Sequence, residues 1–212
     1  MKLVSLFAGV GGFDLAAERA HIEPAVCCEI DPSARGVLKH RFPDAFFVDD
    51  VKEITGDKLR GFGLDPATTI ISGGFPCQDV SVAGRRQGFD GERSSLFFEI
   101  VRILREFNPK WFVLENVPGL FTSHGGRDMG AVIGTLAELG YVFGWRVLDS
   151  QFFGVPQRRK RIFIVGCAGG RGGMVEQVLF ESEGGFGDSS KVVTQGPEVA
   201  AGFGDGFVST LQ

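Results

Sequence analysis

The feature that most constrains the fold is an alternation of short apolar runs with helical patterns through the first 165 residues. Each apolar run is bounded by turn residues and is typical of a strand buried on both faces. The runs are Leu3 to Phe7, Ala25 to Cys28, Phe46 to Val48, Thr68 to Ser72, Trp111 to Leu114 and Ile162 to Val165. The helical patterns are Phe13 to Ala20, Pro32 to His40, Leu96 to Phe107 and Gly130 to Leu139. This alternation predicts an α/β fold, with a mostly parallel sheet and helices on both faces.

The composition is that of a globular chain with one principal domain. The 212 residues are 43% hydrophobic and 23% charged, and no apolar run reaches the ~18 residues of a membrane span. The net charge of -4 gives no general attraction for nucleic acid, so DNA contacts require local basic clusters or a partner surface. We expect residues 1–166 to form the organised domain. Residues 167–212 are glycine-rich and predict loops, with one short helical pattern at 174–180.

The cysteines indicate a reducing compartment. Cys27, Cys28, Cys77 and Cys167 have no CxxC spacing, and the adjacent pair would close only a strained disulfide. We therefore expect neither a disulfide framework nor a metal site. The apolar N-terminus lacks a clear signal-peptide cleavage site, and the sequence predicts a cytoplasmic protein.

Unusual residues follow five of the predicted strands. They are Gly9, Gly11 and Gly12 after the first, Glu29 after the second, Asp49 and Asp50 after the third, Gly73 to Cys77 after the fourth, and Glu115 and Asn116 after the fifth. Any one of them is equally typical of an ordinary loop. Since ligands of parallel sheets bind beyond the carboxyl ends of the strands, the coincidence of all five predicts one ligand site.

The glycine-rich turn from Phe7 to Gly12 opens a helix and lets a ligand approach the backbone closely. A dinucleotide fingerprint would need glycine where Asp14 stands, and Asp14 would place a negative charge near the helix N-terminus. A ligand with little or no phosphate is therefore expected. Glu29 follows Gly9 by twenty residues, which is the place of an acid that accepts hydrogen bonds from ribose hydroxyls. These residues favour an adenosine ligand, although a plain strand-to-helix turn has a similar sequence.

A second loop, Ser72 to Gln78, contains two glycines and a proline and presents Cys77 at the same edge of the sheet. As a thiolate, Cys77 would be a strong nucleophile. The alternative is a small buried hydrophobe, which is our interpretation of Cys27, Cys28 and Cys167 because they lie in or directly after strand patterns.

Four segments in order resemble the motifs of the DNA cytosine-5 methyltransferases, and the resemblance covers about residues 1–166. The segments are Phe7 to Gly12, Gly74 to Gln78, Glu115 to Val117 and Gln157 to Arg161. The resemblance implies a Rossmann-like S-adenosylmethionine-dependent methyltransferase fold. It also implies methyl transfer to carbon 5 of cytosine in double-stranded DNA, as in restriction-modification systems.

The same resemblance implies the site residues. Cys77 would add to carbon 6 of the base, Glu115 would bond ring nitrogen 3 and the amino group, and Arg159 and Arg161 would hold the base. The implied cofactor contacts are Phe7, Ala8, Gly9, Val10, Gly12, Glu29, Ile30, Asp50, Val51 and Leu96. The implied DNA contacts are Gln78, Ser81, Arg85, Arg86 and Arg93. Ile30 departs from the family pattern, because many members have an aromatic residue there.

Family members normally continue into a target-recognition region and a helix that returns to the cofactor pocket, and neither is evident here. We expect residues 167–212 to be the start of a truncated recognition region. A fragment, a degenerate gene and one half of a split enzyme with a second chain as partner all fit the sequence. Three other functions remain open: a tRNA cytosine methyltransferase, a nicotinamide-dependent oxidoreductase and a binding module without catalysis.

Overall fold

The computed structural model describes residues 1–76, 96–169, 172–179 and 192–194. Its strands are β1 (Lys2–Leu6), β2 (Glu23–Cys28), β3 (Phe46–Val48), β4 (Thr69–Gly74), β5 (Trp111–Asn116), β6 (Tyr141–Asp149), β7 (Lys160–Ala168) and β8 (Val192–Thr194). Its helices are α1 (Gly12–Arg19), α2 (Pro32–Arg41), α3 (Gly56–Gly61), α4 (Leu96–Phe107), α5 (Arg127–Glu138) and α6 (Gly172–Leu179). Six residues with predicted roles lie outside the described residues: Cys77, Gln78, Ser81, Arg85, Arg86 and Arg93.

The described strands form one eight-stranded sheet in the order β3-β2-β1-β4-β5-β7-β6-β8. The pairs β3-β2, β2-β1, β1-β4 and β4-β5 are parallel. The chain runs outward from β1 to β3 and then returns to β4, so the direction of winding reverses between β1 and β4. Such a reversal opens a crevice at the carboxyl ends of the two strands, which is where open α/β sheets bind ligands.

The other end of the sheet is antiparallel. β7 runs antiparallel to both β5 and β6, and β8 runs antiparallel to β6. The connection between β6 and β7 contains a short 3-10 helix, Ser150–Phe153, but no α-helix, and the two strands pair as an antiparallel hairpin. The sheet is mostly parallel, as predicted, since only β7 and β8 oppose the other strands. The amino end of β7 consequently lies at the same edge as the carboxyl ends of β4 and β5.

Helices cover both faces of the sheet, as predicted. Right-handed crossovers place α1 and α2 on one face, and the reversal of winding places α3 and α4 on the other. The larger core lies between the sheet and α3, α4 and α5. Smaller clusters join α1 and α2 to β2, and α6 to β7. No helix in the described part of the chain is long and apolar enough to cross a membrane.

The sequence prediction missed three elements and misplaced some strand ends. β6 was not predicted because Gly144 and Arg146 interrupt its apolar pattern. α3 was not predicted because it is short, and β8 because it lies in the glycine-rich region. β4 and β5 each continue two residues further than predicted, because the backbone pairing continues through Gly74 and Glu115. Glu115 and Asn116 are therefore the last residues of a strand and do not follow it.

Candidate active site

The turn after β1, Phe7 to Gly12, is fixed by its backbone. Phe7 and Gly9 have positive φ angles of 55° and 56°, and Gly11 has a φ of 89°. A Cβ atom at Gly11 would lie 2.8 Å from the Phe42 ring, so the close packing of α2 also requires glycine there. A Cβ atom at Gly9 or Gly12 would meet nothing within 4 Å. The turn thus leaves open space beside its backbone at Gly9 and Gly12.

Glu29 lies directly beside this turn. Its Oε2 accepts a hydrogen bond of 2.7 Å from the Gly9 amide, and its Oε1 accepts one of 2.8 Å from the Asp31 amide. Each carboxylate oxygen has two lone pairs, so both can accept a further hydrogen bond from a diol. The structure thereby brings together Gly9 and Glu29, which the sequence had linked only by spacing.

The other predicted cofactor contacts surround the turn and the ends of β2 and β3. Val10 and Ile30 are 64% and 71% exposed, which leaves their apolar side chains available to a ligand. Asp50 is partly buried and accepts a hydrogen bond from the Lys52 amide, and Val51 is buried. Leu96 begins α4 and packs against the large core. Asp49 forms an ion pair with Arg35 at 2.6 Å.

Asp14 lies in the first turn of α1, near the helix N-terminus as the sequence placed it, but it is buried. Its side chain is 0% exposed and turns toward the sheet, where it accepts a 2.6 Å hydrogen bond from Ser5 Oγ. Burial raises the pKa of the Asp14 carboxyl, against the effect of hydrogen bonds from Ser5 and Cys27. The carboxyl group near the helix N-terminus is therefore directed toward the sheet, which the spacing of residues in the sequence does not reveal.

A pocket of about 280 Å³ opens beyond β4 and β5 at the same edge of the sheet. Its walls contain Glu115, Arg159 and Arg161, three residues for which the family resemblance implied a role in the site. Four further lining residues were absent from the predicted contacts: Phe75, Pro76, Asn116 and Val117. Pro76 is the last described residue before Cys77, so the pocket lies at the start of the predicted nucleophile loop.

Glu115 and Arg161 form an ion pair in this pocket. Arg161 Nε lies 2.6 Å from Glu115 Oε1, and the two side chains are only 21% and 23% exposed. Their meeting depends on β7 running antiparallel to β5, because only then does Arg161 lie at the edge where β5 ends. A Cβ atom at Gly74 would lie 3.0 Å from Glu115 Oε2, so glycine at this position leaves room for the carboxylate.

Asn116 connects the end of β5 to the loop after β4. Its Nδ2 donates a 2.8 Å hydrogen bond to the Phe75 carbonyl, and its Oδ1 accepts one of 2.8 Å from the Val117 amide. Asn116 is 2% exposed, so these bonds are shielded from water. The Nδ2 bond fixes the end of β5 to the backbone at Phe75, two residues before Cys77. The Glu-Asn-Val sequence was the available signal for this residue.

The basic loop before β7 is braced by the end of β6. Asp149 is buried and accepts hydrogen bonds from the Arg159 amide and from the amide and side chain of Gln151. Ser150 Oγ donates to the Gln157 carbonyl at 2.5 Å. Arg159 is exposed, whereas Arg161 is partly buried. The sequence analysis missed Asp149, because its strand was not recognised.

The cysteines in the described part agree with their interpretation as structural residues. Burial raises the pKa of Cys27 and Cys28 to about 12, so neither thiol is ionised near neutral pH. Burial also raises the pKa of Cys167. Among the described residues, no cluster of His, Cys, Asp or Glu has the arrangement of a metal site.

The sheet order, the switch-point turn and the acid on the neighbouring strand define a Rossmann-like α/β protein. Residues 1–182 match the family model of the C-5 cytosine-specific DNA methylases, and the chain belongs to this family. The predicted family is therefore confirmed. Membership implies S-adenosylmethionine as the cofactor, and the open turn, Glu29 and the exposed apolar residues fit an adenosine ligand.

Relatives of known type share much of this chain. Type II methyltransferase M2.BsuMI of Bacillus subtilis (strain 168) is 38% identical over 169 residues, covering 78% of this chain and 41% of that protein. M.BanI of Aneurinibacillus aneurinilyticus is 41% identical over 177 residues, covering 81% and 39%. M.AquIA of Picosynechococcus sp. is 38% identical over 176 residues, covering 78% and 71%. The chain thus spans about two fifths of the length of the first two relatives.

Solved structures agree with the fold. A putative DNA modification methyltransferase encoded within an E. coli prophage is 27% identical, with a TM-score of 0.64 over 80% of this chain and 47% of that one. The S. pombe Dnmt2 methyltransferase is 20% identical, with a TM-score of 0.67 over 88% and 57%. The predicted S-adenosylmethionine-dependent methyltransferase fold is confirmed.

Proposed function

We propose that this chain is the catalytic part of an enzyme that methylates carbon 5 of cytosine in double-stranded DNA, through a Cys77 adduct at carbon 6. The observation that supports it most is the Glu115–Arg161 pair, because it lies in a pocket whose wall ends at Pro76, one residue before Cys77. An acid, a cation and a nucleophile at one pocket are what addition to an unreactive base requires.

The base needs activation at two positions. Carbon 6 accepts the Cys77 thiolate only when the electrons it displaces are stabilised in the ring, and carbon 5 then becomes nucleophilic. Glu115, carrying a proton at this stage, donates it in a hydrogen bond to ring nitrogen 3 and accepts a hydrogen bond from the amino group, and Arg161 stabilises charge at the carbonyl oxygen. Bound S-adenosylmethionine supplies the methyl group that carbon 5 attacks. Loss of the carbon 5 proton then expels the Cys77 thiolate, and we assign no residue as the base.

The contacts of Arg161 fit this role. Its Nε pairs with Glu115, and its Nη1 donates a 2.7 Å hydrogen bond to the Lys160 carbonyl. The ion pair and the hydrogen bond hold the guanidinium at the pocket wall, where its N–H groups can donate to the base. Arg159, held through its amide by Asp149, extends an exposed side chain at the same pocket. It would hold the base or an adjacent phosphate.

The cofactor role of the turn has its own support. The turn and Glu29 are connected by the Gly9 hydrogen bond, so a ribose bound by Glu29 lies against the turn backbone. Val10 and Ile30 supply exposed apolar surface for adenine. Asp50 would accept a hydrogen bond from the adenine amino group, and the neighbouring Val51 is buried. Ala8, Phe7 and Gly12 shape the turn, and Leu96 covers the methionine part. Aliphatic packing by Ile30 replaces the aromatic stacking of other members.

We further propose a second chain as partner. Most of the similar relatives are more than twice as long as the region matched, whereas this chain covers 71% of M.AquIA. With a net charge of -4, the chain lacks a strong source of phosphate contacts, so extrusion of the base from the duplex needs another surface. The partner would supply target recognition and close the cofactor pocket, and the pair would act in the cytoplasm.

The decisive experiment uses DNA that contains 5-fluorocytosine, from which the carbon 5 substituent cannot leave as a proton. The purified chain, with S-adenosylmethionine and a candidate C-terminal half, should form a covalent adduct that Cys77→Ser abolishes. Calorimetry should give the same cofactor affinity for Cys77→Ser as for the unmodified sequence. An adduct that survives in Cys77→Ser would refute the nucleophile.

Parallel assays separate the other functions. Tritiated S-adenosylmethionine should label duplex DNA and not tRNA, and NAD should not raise the thermal midpoint. Preferential labelling of tRNA would identify an RNA methyltransferase. Cofactor binding without labelling of any nucleic acid, even with the partner half present, would indicate a binding module. Robust, sequence-specific labelling by the lone chain would refute the need for a partner.

A further inference from the structure

A row of small buried polar residues crosses the sheet beneath α1. Ser5 on β1 pairs in register with Cys27 on β2 and with Ser72 on β4. Residues in register on parallel neighbours face the same side of a sheet, so all three side chains face the same layer. All three are at most 1% exposed. Polar groups this deeply buried require hydrogen-bond partners.

Asp14, in the first turn of α1, provides a partner for two of the three. Its Oδ1 accepts a 2.6 Å hydrogen bond from Ser5 Oγ and lies 3.4 Å from Cys27 Sγ. Ser5 Oγ also lies 3.5 Å from the Val26 carbonyl. Asp14 thereby connects the helix to β1, which leads into the turn from Phe7 to Gly12, and to β2, which leads to Glu29. Ser72 Oγ, by contrast, bonds no group among the described residues.

The hydrogen-bonded residues Asp14, Ser5 and Cys27 each lie two positions from a segment of the proposed cofactor site. Asp14 follows Gly12, Ser5 precedes Phe7, and Cys27 precedes Glu29. Two residues span at most about 7 Å, the distance in an extended chain, so a fixed residue allows little movement of the backbone two positions away. The proposed mechanism uses none of these three side chains.

We propose that Asp14 is the positioning residue of the cofactor turn, and that it holds α1 against β1 and β2 so that the Gly9 amide and Glu29 face one ligand. The identity of that ligand rests on the proposed function. Burial raises the pKa of Asp14, so burial does not stabilise its charge. Asparagine has the same shape and keeps an oxygen that can accept the hydrogen bond from Ser5, so Asp14→Asn should preserve the anchor.

The structure provides matched controls. Ser72 is as buried as Ser5 and pairs with it across the sheet, yet it does not bond Asp14. Asp128 is a second buried aspartate in the first turn of a helix, α5, and it too accepts a hydrogen bond from a serine, Ser123, at 2.5 Å. Asp128→Ala therefore reproduces the loss of a buried carboxylate without touching the cofactor turn.

The test is hydrogen exchange by mass spectrometry on the full chain without cofactor, followed by calorimetry with S-adenosylmethionine. Asp14→Ala should accelerate exchange of the amides at 7–13 and weaken cofactor binding by about tenfold, the loss of one strong hydrogen bond. Ser5→Ala should have a smaller effect in the same direction. Asp14→Asn and Ser72→Ala should resemble the unmodified chain, and Asp128→Ala should accelerate exchange only around α5.

Equal effects of Asp14→Ala and Asp128→Ala on the turn would overturn the proposal, as would an Asp14→Asn variant as defective as Asp14→Ala. If Asp14→Ala does not fold, Ser5→Ala against Ser72→Ala decides the same question. A chain with the expected exchange pattern that does not bind S-adenosylmethionine would refute the proposed cofactor and leave the positioning role intact.

Discussion

The parallel half of the sheet and its antiparallel end build their parts of the site by different means. On the parallel side, the cofactor turn consists of backbone held in unusual conformations, with one carboxylate bonded to it. On the antiparallel side, the pocket consists of charged side chains brought together by β7 and braced by hydrogen bonds. The first arrangement forms from residues close together in the sequence, whereas the second forms only when distant strands pair. Mutations on one side should therefore impair cofactor binding, and mutations on the other side should impair methyl transfer.

The largest expected effect is at Glu115. Glu115→Gln keeps the shape of the side chain but removes its charge and its ion pair with Arg161. Because this carboxylate would stabilise the activated base, methyl transfer should fall by at least about 100-fold. Transfer is measured with tritiated cofactor in the presence of the partner half. Cofactor affinity should stay unchanged, and a parallel loss of affinity would mean that the two parts of the site are coupled.

The converse change is Glu29→Ala. Loss of a charged hydrogen-bond acceptor should cost about 1.5 to 3 kcal/mol, or about 10- to 100-fold in S-adenosylmethionine affinity. At saturating cofactor, the yield of the 5-fluorocytosine adduct should recover. Calorimetry provides the affinity and gel electrophoresis the yield. Unchanged affinity would remove Glu29 from the cofactor site.

A smaller effect is expected at Gly166, where β7 pairs with Phe112 of β5. A Cβ atom at Gly166 would lie 2.2 Å from the Phe112 ring, so Gly166→Ala has to displace the ring or the strand. Overpacking of this kind costs about 1 to 3 kcal/mol. Urea denaturation should show that loss, and the adduct yield should fall while cofactor affinity holds. An unchanged free energy of unfolding would mean that the Phe112 ring or β7 moves aside without cost.

The smallest effect concerns the two buried aspartates. The pKa of Asp14 is raised above 3.8 by burial, so its contribution to stability is present below pH 3.8 and is lost as pH rises through the raised pKa. Burial also opposes ionisation of Asp128, but hydrogen bonds from Ser123 and His124 outweigh it and lower the pKa. The Asp128 contribution is thus present above pH 3.8 and lost as pH falls.

Relative to the unmodified chain, Asp14→Asn should therefore gain stability as pH rises above 3.8, whereas Asp128→Asn should be less stable above pH 3.8 and recover as pH falls below it. We expect differences of about 1 kcal/mol at most, measured as free energies of unfolding in urea at each pH. Slopes of the same sign for both variants would contradict the opposite pKa directions of the two carboxyl groups.

The contrast between the two sides also explains what the sequence could predict. The glycine turn and Glu29 were identified because their signals lie within one strand-helix-strand unit, where spacing fixes geometry. The contact between Glu115 and Arg161 needed the antiparallel pairing of β5 with β7, which no local pattern contains. Only the family resemblance named both residues. Asp149 had no such signal, since Gly144 and Arg146 concealed its strand.

The register between β4 and β5 determines which side chains at the end of β5 face the pocket. Glu115 and Asn116 are neighbours on one strand, so their side chains point to opposite faces; one enters the pocket and the other holds the Phe75 carbonyl. A slip of one residue would move the strand by about 3.3 Å and exchange the two faces. On the proposed mechanism, a variant that keeps Glu115 and Cys77 but shifts this register should be inactive, because the shift would direct Glu115 away from the pocket.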